Sequence, residues 1–336
     1  MAQHRHDVII VGGGPAGLTA GLYAARSKLD AVLLERGFPG GQLLNTELIE
    51  DYTGFESILG SELAERMATH ARKFGLKIET VNVSKIEKLD SGEFRVTTDG
   101  DATYVAPALI LTAGGTPVRL GIPGEQEFAG KGVSYCAICD GAFFKDEVIA
   151  VVGGGDAAVE EGDFLTRYGS KVYLIHRRDE LRAQKVLQER AFRNPKMQVI
   201  WDAVVEEIVG DEKGVTAVRL RNVKTGETRE LPVGAVFIFI GFDPNTANLL
   251  EPHVEHDAAG YLITDRDMRS SLPGLFAAGD VRAQLTRQIT TAVGDATTAA
   301  IAAEKYLTRL REEKDGAKAT EAAWARDWAP LAARAD

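Results

Sequence analysis

The chain contains only two cysteines, and they stand three positions apart as Cys136-Ala137-Ile138-Cys139, followed at once by Asp140. A C-x-x-C pair can close a small disulfide, supply half of a metal site, or be two unrelated core thiols. If the pair is redox-active, something must deliver electrons to it. The rest of the chain has to decide between these readings.

Carriers for electrons are suggested by two glycine-rich stretches. Residues 8–11 (VIIV) run into Gly12-Gly13-Gly14-Pro15-Ala16-Gly17, and the following LTAGLYAARS has helical composition and length. In a strand–turn–helix unit of this kind Gly12 makes the tight turn, Gly14 lets the backbone approach a pyrophosphate, and Gly17 allows close helix–strand packing. The next strand, 31–34, ends on Glu35, which can accept hydrogen bonds from a ribose. The unit recurs where residues 148–152 lead into Gly153-Gly154-Gly155-Asp156-Ala157-Ala158, with Ala158 replacing the third glycine, then VEEGDFLTRYG and a strand over 171–175. Where the first unit has Glu35, the second has His176-Arg177-Arg178, with Arg182 four residues further on. An acid suits a free ribose 2′-hydroxyl, whereas arginines grip a 2′-phosphate bidentately. The first site therefore reads as one for FAD or NAD, the second as one for NADP.

These pieces need elements to hold them. At 336 residues the chain exceeds the ~250–300 that one core usually fills, so two domains are expected. Two Pro- and Gly-containing breaks, GTPVRLGIP at 115–123 and GFDPN at 241–245, suggest that one domain is inserted into the other. Residues 1–117 and 246–313 form the outer domain on this reading, and 118–245 form the inserted one that carries the C-x-x-C pair. Residues 108–114 (ALILTAG) return a strand to the outer sheet and end on Gly114. Residues 275–280 (LFAAGD) form another strand, ending on Gly279-Asp280, where a carboxylate can meet a polyol such as the ribityl chain of a flavin. A long Ala-rich helix follows from about 288 to 313. The fold class expected is α/β, with two Rossmann-like (three-layer ββα) nucleotide-binding domains, the second inserted into the first.

Composition excludes several functions. A net charge of -10 argues against a nucleic-acid or anionic-membrane binder. No apolar run reaches the ~20 residues that span a bilayer, and MAQHRHD passes directly into a strand, so a cytoplasmic protein without a signal peptide is expected. A structural zinc needs four ligands; His253 and His256 lie in an acidic, Pro-containing loop, and no metal is expected.

Taken together, GGGPAG at 12–17, GGQ at 40–42, CAICDG at 136–141, GGGDAA at 153–158, HRRDELRA at 176–183, GLFAAGD at 274–280 and Arg287-Gln288 stand in the order and spacing of the low-molecular-weight thioredoxin reductases, which the chain resembles from residue 7 to about 313. The resemblance implies a homodimer, FAD held by the outer segments (with Gly41, Gln42, Arg287 and Gln288 at its site), NADPH held by the inserted domain, and thioredoxin as the disulfide substrate. It also implies that Cys139 faces the flavin while Cys136 attacks thioredoxin, and Asp140 is then the acid that protonates the departing thiolate. Asp51 stands where the family usually has an asparagine beside the flavin, Ala157 where a hydroxyl side chain is frequent, and Ala142 where a Phe is often found. One flavin cannot meet a nicotinamide and a disulfide from the same position at once, so rotation of the inserted domain about linkers near 115–118 and 242–247 is expected. The nearest rivals are a dithiol oxidase of the same fold and a reductase fed by another electron donor; Arg177 and Arg178 argue against both. The tail from 314 to 336 is extra, with Trp324, Trp328 and Leu331 on one helical face, and is expected to dock on the dimer surface or else to be a floppy Ala-rich extension.

Overall fold

The β-branched run Val8–Val11 and the strand Ala31–Glu35 pair in parallel, Val8 opposite Ala31 and Val11 opposite Leu34. All four side chains of Val8–Val11 are buried, as a parallel sheet covered on both faces requires. In the computed structural model, which describes residues 2–46, 48–100, 102–246, 250–251, 253–312, 317–328 and 330, the crossover is helix α1 (Pro15–Arg26). Pro15 opens α1, where its missing N–H costs nothing, and Leu18, Ala20, Ala24 and Ala25 face the core. Helix α2 (Gly60–Lys73) buries Leu63, Ala64, Ala68 and Ala71, and the chain then adds the strand Lys77–Thr80 beside Ala31–Glu35. Ala108–Leu111 pairs with the other side of Val8–Val11. Ala2–Arg5, Ala102–Ala106, Phe94–Thr98, Val83–Lys88 and Leu250–Glu251 make a second sheet in that order.

The chain divides into two units, Met1–Thr116 with Asp243–Asp336, and Pro117–Phe242. In the second unit the strands run in the order Val133–Ser134, Ala235–Phe239, Val148–Gly153, Lys171–Ile175, Met197–Ile200, all parallel. Its helices are the single turn α3 (Ala137–Asp140), α4 (Asp156–Leu165) and α5 (Lys185–Arg193). An antiparallel sheet of Ala203–Asp211, Gly214–Asn222 and Thr228–Pro232 covers one face. That sheet is hard to read from the sequence because register shifts between Val205 and Glu207 and between Val209 and Gly210 break the period of two.

Back in the first unit, Leu275–Ala277 pairs with Ala108–Leu111 and completes the five-stranded parallel sheet. Helix α6 (Ile289–Glu312) lays Ala292, Ala296, Ala299, Ala300 and Ala303 into the core that α1 also lines. Among the described residues no helix is long and apolar enough to cross a membrane.

The tail forms α7 (Ala317–Asp327), and it packs on its own chain. Trp324 is buried edge-on against Phe276 (5.2 Å) and Tyr306 (5.4 Å), and its indole N–H donates to Ser270 O at 3.0 Å. Trp328 Nε1 reaches Arg269 O at 3.3 Å, and Arg269 Nη2 reaches Asp327 O at 2.9 Å. Glu321 stands 3.6 Å from the buried ammonium of Lys88, whose pKa burial lowers against the pull of that carboxylate. The apolar face expected of the tail thus has an intramolecular partner, while Leu331 lies outside the described residues. Trp324→Ala should destabilise the first unit by about 3–5 kcal/mol, as for other buried Trp truncations. An unchanged melting temperature in this variant would mean that α7 rests on the surface without contributing.

Candidate active site

Cys136 and Cys139 form a disulfide across α3, with their Cα atoms 5.4 Å apart. Cys136 sits at the N-cap in extended conformation, and its Sγ accepts the Cys139 N–H at 3.2 Å. Ser134 fixes the approach, its Oγ taking the Cys136 N–H at 3.0 Å and lying 3.2 Å from Cys136 O. Ala137 is fully buried, so the turn is anchored from beneath. Cys139 is exposed, whereas Cys136 and Asp140 are half-buried. Asp140 donates its backbone N–H to Cys136 O at 3.2 Å, and among the described residues its carboxylate has no ion-pair partner. Beside the pair Phe143 is 79% exposed, while Phe144 turns inward against Phe237.

Next to Cys136, Tyr135 donates its hydroxyl to Glu125 Oε1 at 2.6 Å, and the same carboxylate takes the N–H groups of Leu120 (2.9 Å) and Gly121 (2.6 Å). Burial tends to raise the Glu125 pKa, but these donors outweigh it and hold the carboxyl below its ordinary value. Burial and the Glu125 carboxylate push the Tyr135 hydroxyl the other way, up.

Tyr135 also lines a cavity of about 170 Å³ in the second unit, together with Gly155, Asp156, Ala158, Arg182 and Phe239. Gly155 is the N-cap of α4 with no side chain capping its amides, which leaves them for an anion. The loop after Lys171–Ile175 returns to this turn, since Arg182 N donates to Gly154 O at 2.8 Å. Asp156 directs its carboxylate to Gln184, accepting from the backbone N (2.7 Å) and from Nε2 (3.1 Å). Arg177, Arg178 and Arg182 are all exposed, and among the described residues none forms an ion pair. His176 differs from them. It is 6% exposed, with Nδ1 3.0 Å from Gly153 O, and a Cβ placed on Gly154 would lie 2.2 Å from its ring. Burial lowers its pKa, against hydrogen bonds to the Gly153 and Glu180 backbone that raise it, and Arg182 and Arg178 act with burial. His176 therefore supports the glycine turn from beneath, and the arginines offer the charge.

In the first unit Gly12 has φ +105°, and a Cβ there would sit 2.4 Å from Thr112 O; one on Gly17 would sit 1.8 Å from Gly12 O. Glu35 is drawn to the turn, Oε2 accepting the Gly13 N–H at 2.6 Å and Oε1 the Gly37 N–H at 3.0 Å. Gly40 N donates to Gly13 O at 2.7 Å, which brings Gly41 so close to Gly14 that a Cβ on Gly41 would be 2.9 Å from Gly14 Cα. Gly279 closes the far side, where its Cβ would meet Ala16 at 2.9 Å. Burial raises the pKa of Asp280, opposed by Arg287 and assisted by Asp295, and among the described residues its carboxylate has no hydrogen-bond partner. Gly12, Gly14, Ala16, Gly17, Glu35, Gly41 and Gly279 are thus one cradle that side chains would fill. Gln42 is exposed with Oε1 on Asn45 Nδ2 (3.1 Å), and Asp51 is exposed. Gly114 O accepts Asn245 N at 2.9 Å. Arg287 lies 3.9 Å over the Tyr261 ring, and Gln288 N donates to Thr291 Oγ1 at 3.1 Å, at the head of α6.

Comparison with known proteins adds to this geometry. The family described as pyridine nucleotide-disulphide oxidoreductase matches residues 6–296. Thioredoxin reductase of Listeria innocua is 50% identical over 315 residues, which is 93% of this chain and 98% of that one. The Bacillus subtilis thioredoxin reductase is 46% identical over 313 residues, with the same shares of 93% and 98%. The crystal structure of Lactococcus lactis thioredoxin reductase superposes with a TM-score of 0.88 at 47% identity, covering 91% of this chain and 100% of that one. The chain belongs to the thioredoxin reductases. Membership bears out the resemblance read from the motifs and the α/β fold with two Rossmann-like domains, and it brings a flavin and a pyridine nucleotide as the family's electron carriers.

Several residues that hold these turns in place escaped the sequence reading. Thr112 Oγ1 pins the first glycine turn by donating toward Val11 O (2.9 Å) and Gly12 O (2.8 Å). Arg282, 5% exposed, pairs with Asp295 at 3.2 Å, and Asp295 Oδ2 accepts the Gly279 N–H at 3.3 Å, so a buried ion pair positions the Gly279-Asp280 turn. Glu125 acts likewise on Tyr135. None of these residues stands in a motif of its own, because each acts on a residue that the fold brings to it. Residue 247, within the second linker as read from sequence, lies outside the described residues.

Proposed function

We propose that this chain reduces the disulfide of thioredoxin at the expense of NADPH, with FAD held in the first unit and NADPH in the second. The observation that carries the proposal is the closed Cys136–Cys139 disulfide in the same unit as a glycine turn flanked by unpaired arginines. When bound, the two cofactors supply the hydride and two-electron transfer that no side chain can.

The residues fit those groups. Gly14, Gly41 and the uncapped start of α1 suit a pyrophosphate, each Glu35 oxygen keeps a lone pair for a ribose hydroxyl, and Asp280 suits a polyol. In the second unit Gly155 and Ala158 line the cavity, and Arg177, Arg178 and Arg182 would hold a 2′-phosphate, with His176 and Asp156 shaping the turn and loop behind them. Once the disulfide is reduced, the N–H of Cys139 on Cys136 Sγ favours the Cys136 thiolate, which supports Cys136 as the attacking sulfur. It would displace one sulfur of the substrate disulfide, Asp140 would protonate that leaving thiolate, and Cys139 would then attack the mixed disulfide to release the second thiol and restore the Cys136–Cys139 bond. The exposed Phe143 offers the protein substrate an apolar contact beside the pair. The homodimer implied by the resemblance belongs to the same proposal, and sedimentation of the flavin-loaded protein tests it.

Coenzyme preference tests the whole reading. Charge-assisted hydrogen bonds are worth about 1.5–3 kcal/mol each when desolvated, and less at an open surface. Two arginines should give roughly tenfold to a hundredfold preference for NADPH over NADH in kcat/KM. Arg177→Ala with Arg178→Ala should raise the KM for NADPH and leave that for NADH nearly unchanged, in an assay of thioredoxin reduction. Equal use of both coenzymes by the wild-type enzyme would remove the phosphate clamp, and failure of either to drive reduction would revive the oxidase reading.

A further inference from the structure

The arginine loop carries acids as well as cations. Asp179 and Glu180 lie between Arg178 and Arg182, and Asp202 lies at the neighbouring strand end, its backbone N 3.3 Å from Arg178 O. Carboxylates so placed are natural internal partners for the arginines, yet none of the three arginines is paired among the described residues. Two of these carboxylates, Asp179 and Asp202, are held from another element. Lys224, in the turn between Gly214–Asn222 and Thr228–Pro232, places Nζ 2.8 Å from Asp179 Oδ2 and 3.0 Å from Asp202 Oδ1. The turn is built to present it. Asn222 Oδ1 accepts the N–H groups of Lys224 and Thr225 (both 2.9 Å), and Val223 N donates to Asp202 O at 2.7 Å.

We propose that Lys224 is a specificity-determining residue for the coenzyme: by taking up Asp179 and Asp202 it keeps Arg177, Arg178 and Arg182 free for a phosphate dianion. The inference rests on the reading of those arginines as the 2′-phosphate clamp. Lys224 is the cation that Asp179 and Asp202 share, and its loss leaves both carboxylates facing the arginines uncompensated. The released carboxylates then both pair with the arginines and repel the phosphate. Stability has little part in this, because Lys224 and Asp179 are 58% and 71% exposed and ion pairs of that kind contribute little to folding.

The test uses the flavin-loaded enzyme with NADPH and NADH. Lys224→Ala should raise the KM for NADPH about threefold to tenfold, leave kcat, the KM for NADH and the melting temperature unchanged, and do so less as salt is added. Adding Asp179→Asn should return the KM for NADPH to within about twofold of wild type. A purely structural tether predicts the opposite pattern, with both coenzymes affected, a lowered melting temperature and no rescue by Asp179→Asn, and that result overturns the proposal. So does an unchanged KM in Lys224→Ala while the Arg177→Ala, Arg178→Ala enzyme loses NADPH. If the arginine variant also keeps its KM, the phosphate-clamp reading itself has failed, and the role of Lys224 with it.

Discussion

Cys136→Ser and Cys139→Ser should each lower thioredoxin reduction by at least about 10³-fold, as loss of a nucleophile does elsewhere, while reduction of the flavin by NADPH should persist. Hydride transfer between the cofactors needs no thiol, but exchange with a substrate disulfide needs both: one sulfur to attack and the other to resolve the mixed disulfide. The two are not equivalent in geometry. Cys136 Sγ receives the Cys139 N–H, whereas Cys139 is the exposed one of the pair. Stopped-flow absorbance of the flavin separates the half-reactions, and thiol titration gives a readout independent of turnover. NADPH should expose two thiols in the wild-type chain, which has only these cysteines, and none beyond the one already free in either variant. Loss of flavin reduction in both variants would show that the pair is not confined to the second half-reaction.

Asp140→Asn should slow turnover by about 10²–10⁴-fold, the range for removal of a positioned general acid. Asn keeps the size of the side chain and its place at the end of α3, so the loss isolates the proton. The half-buried carboxylate has no competing ion pair among the described residues, which leaves it available to the sulfur that departs. The variant should still pass electrons into the disulfide at the wild-type rate, so the deficit should appear only when thioredoxin is added. If turnover holds with the thioredoxin step made rate-limiting, Asp140 is a structural acid at the turn.

What was legible in the sequence is what the backbone demands locally. Gly12 and Gly17 announce themselves because no side chain fits between the turn and Thr112 or Gly12 O, and the motif spacing records that constraint. Charge was legible for the same reason in Arg177, Arg178 and Arg182. His176 was read with them, yet it lies under Gly154; adjacency in sequence does not reveal which way a side chain at a strand end turns. The supports were not legible, since Asp295 reaches Gly279 and Lys224 reaches Asp179 only through the fold. For α7 the Trp324 and Trp328 face showed that something must cover it, but Phe276, Tyr306 and Ser270 could be named as partners only from the structure.

The order in which the units are encoded sets the order in which they can be made. The second unit, Pro117–Phe242, is contiguous, whereas the first needs Leu275–Ala277, α6 and α7 from the far end of the chain to complete a sheet begun at Val8. At ribosomal rates of ~5–20 residues per second, Ala108–Leu111 waits roughly 10–40 s after synthesis with one edge unpaired. The usual N-terminal-first sequence of domain completion is thereby reversed: the redox-active pair is already housed in a finished unit while the glycine cradle of the first unit is still open, and the apolar strand edge of that nascent unit is what a chaperone would meet.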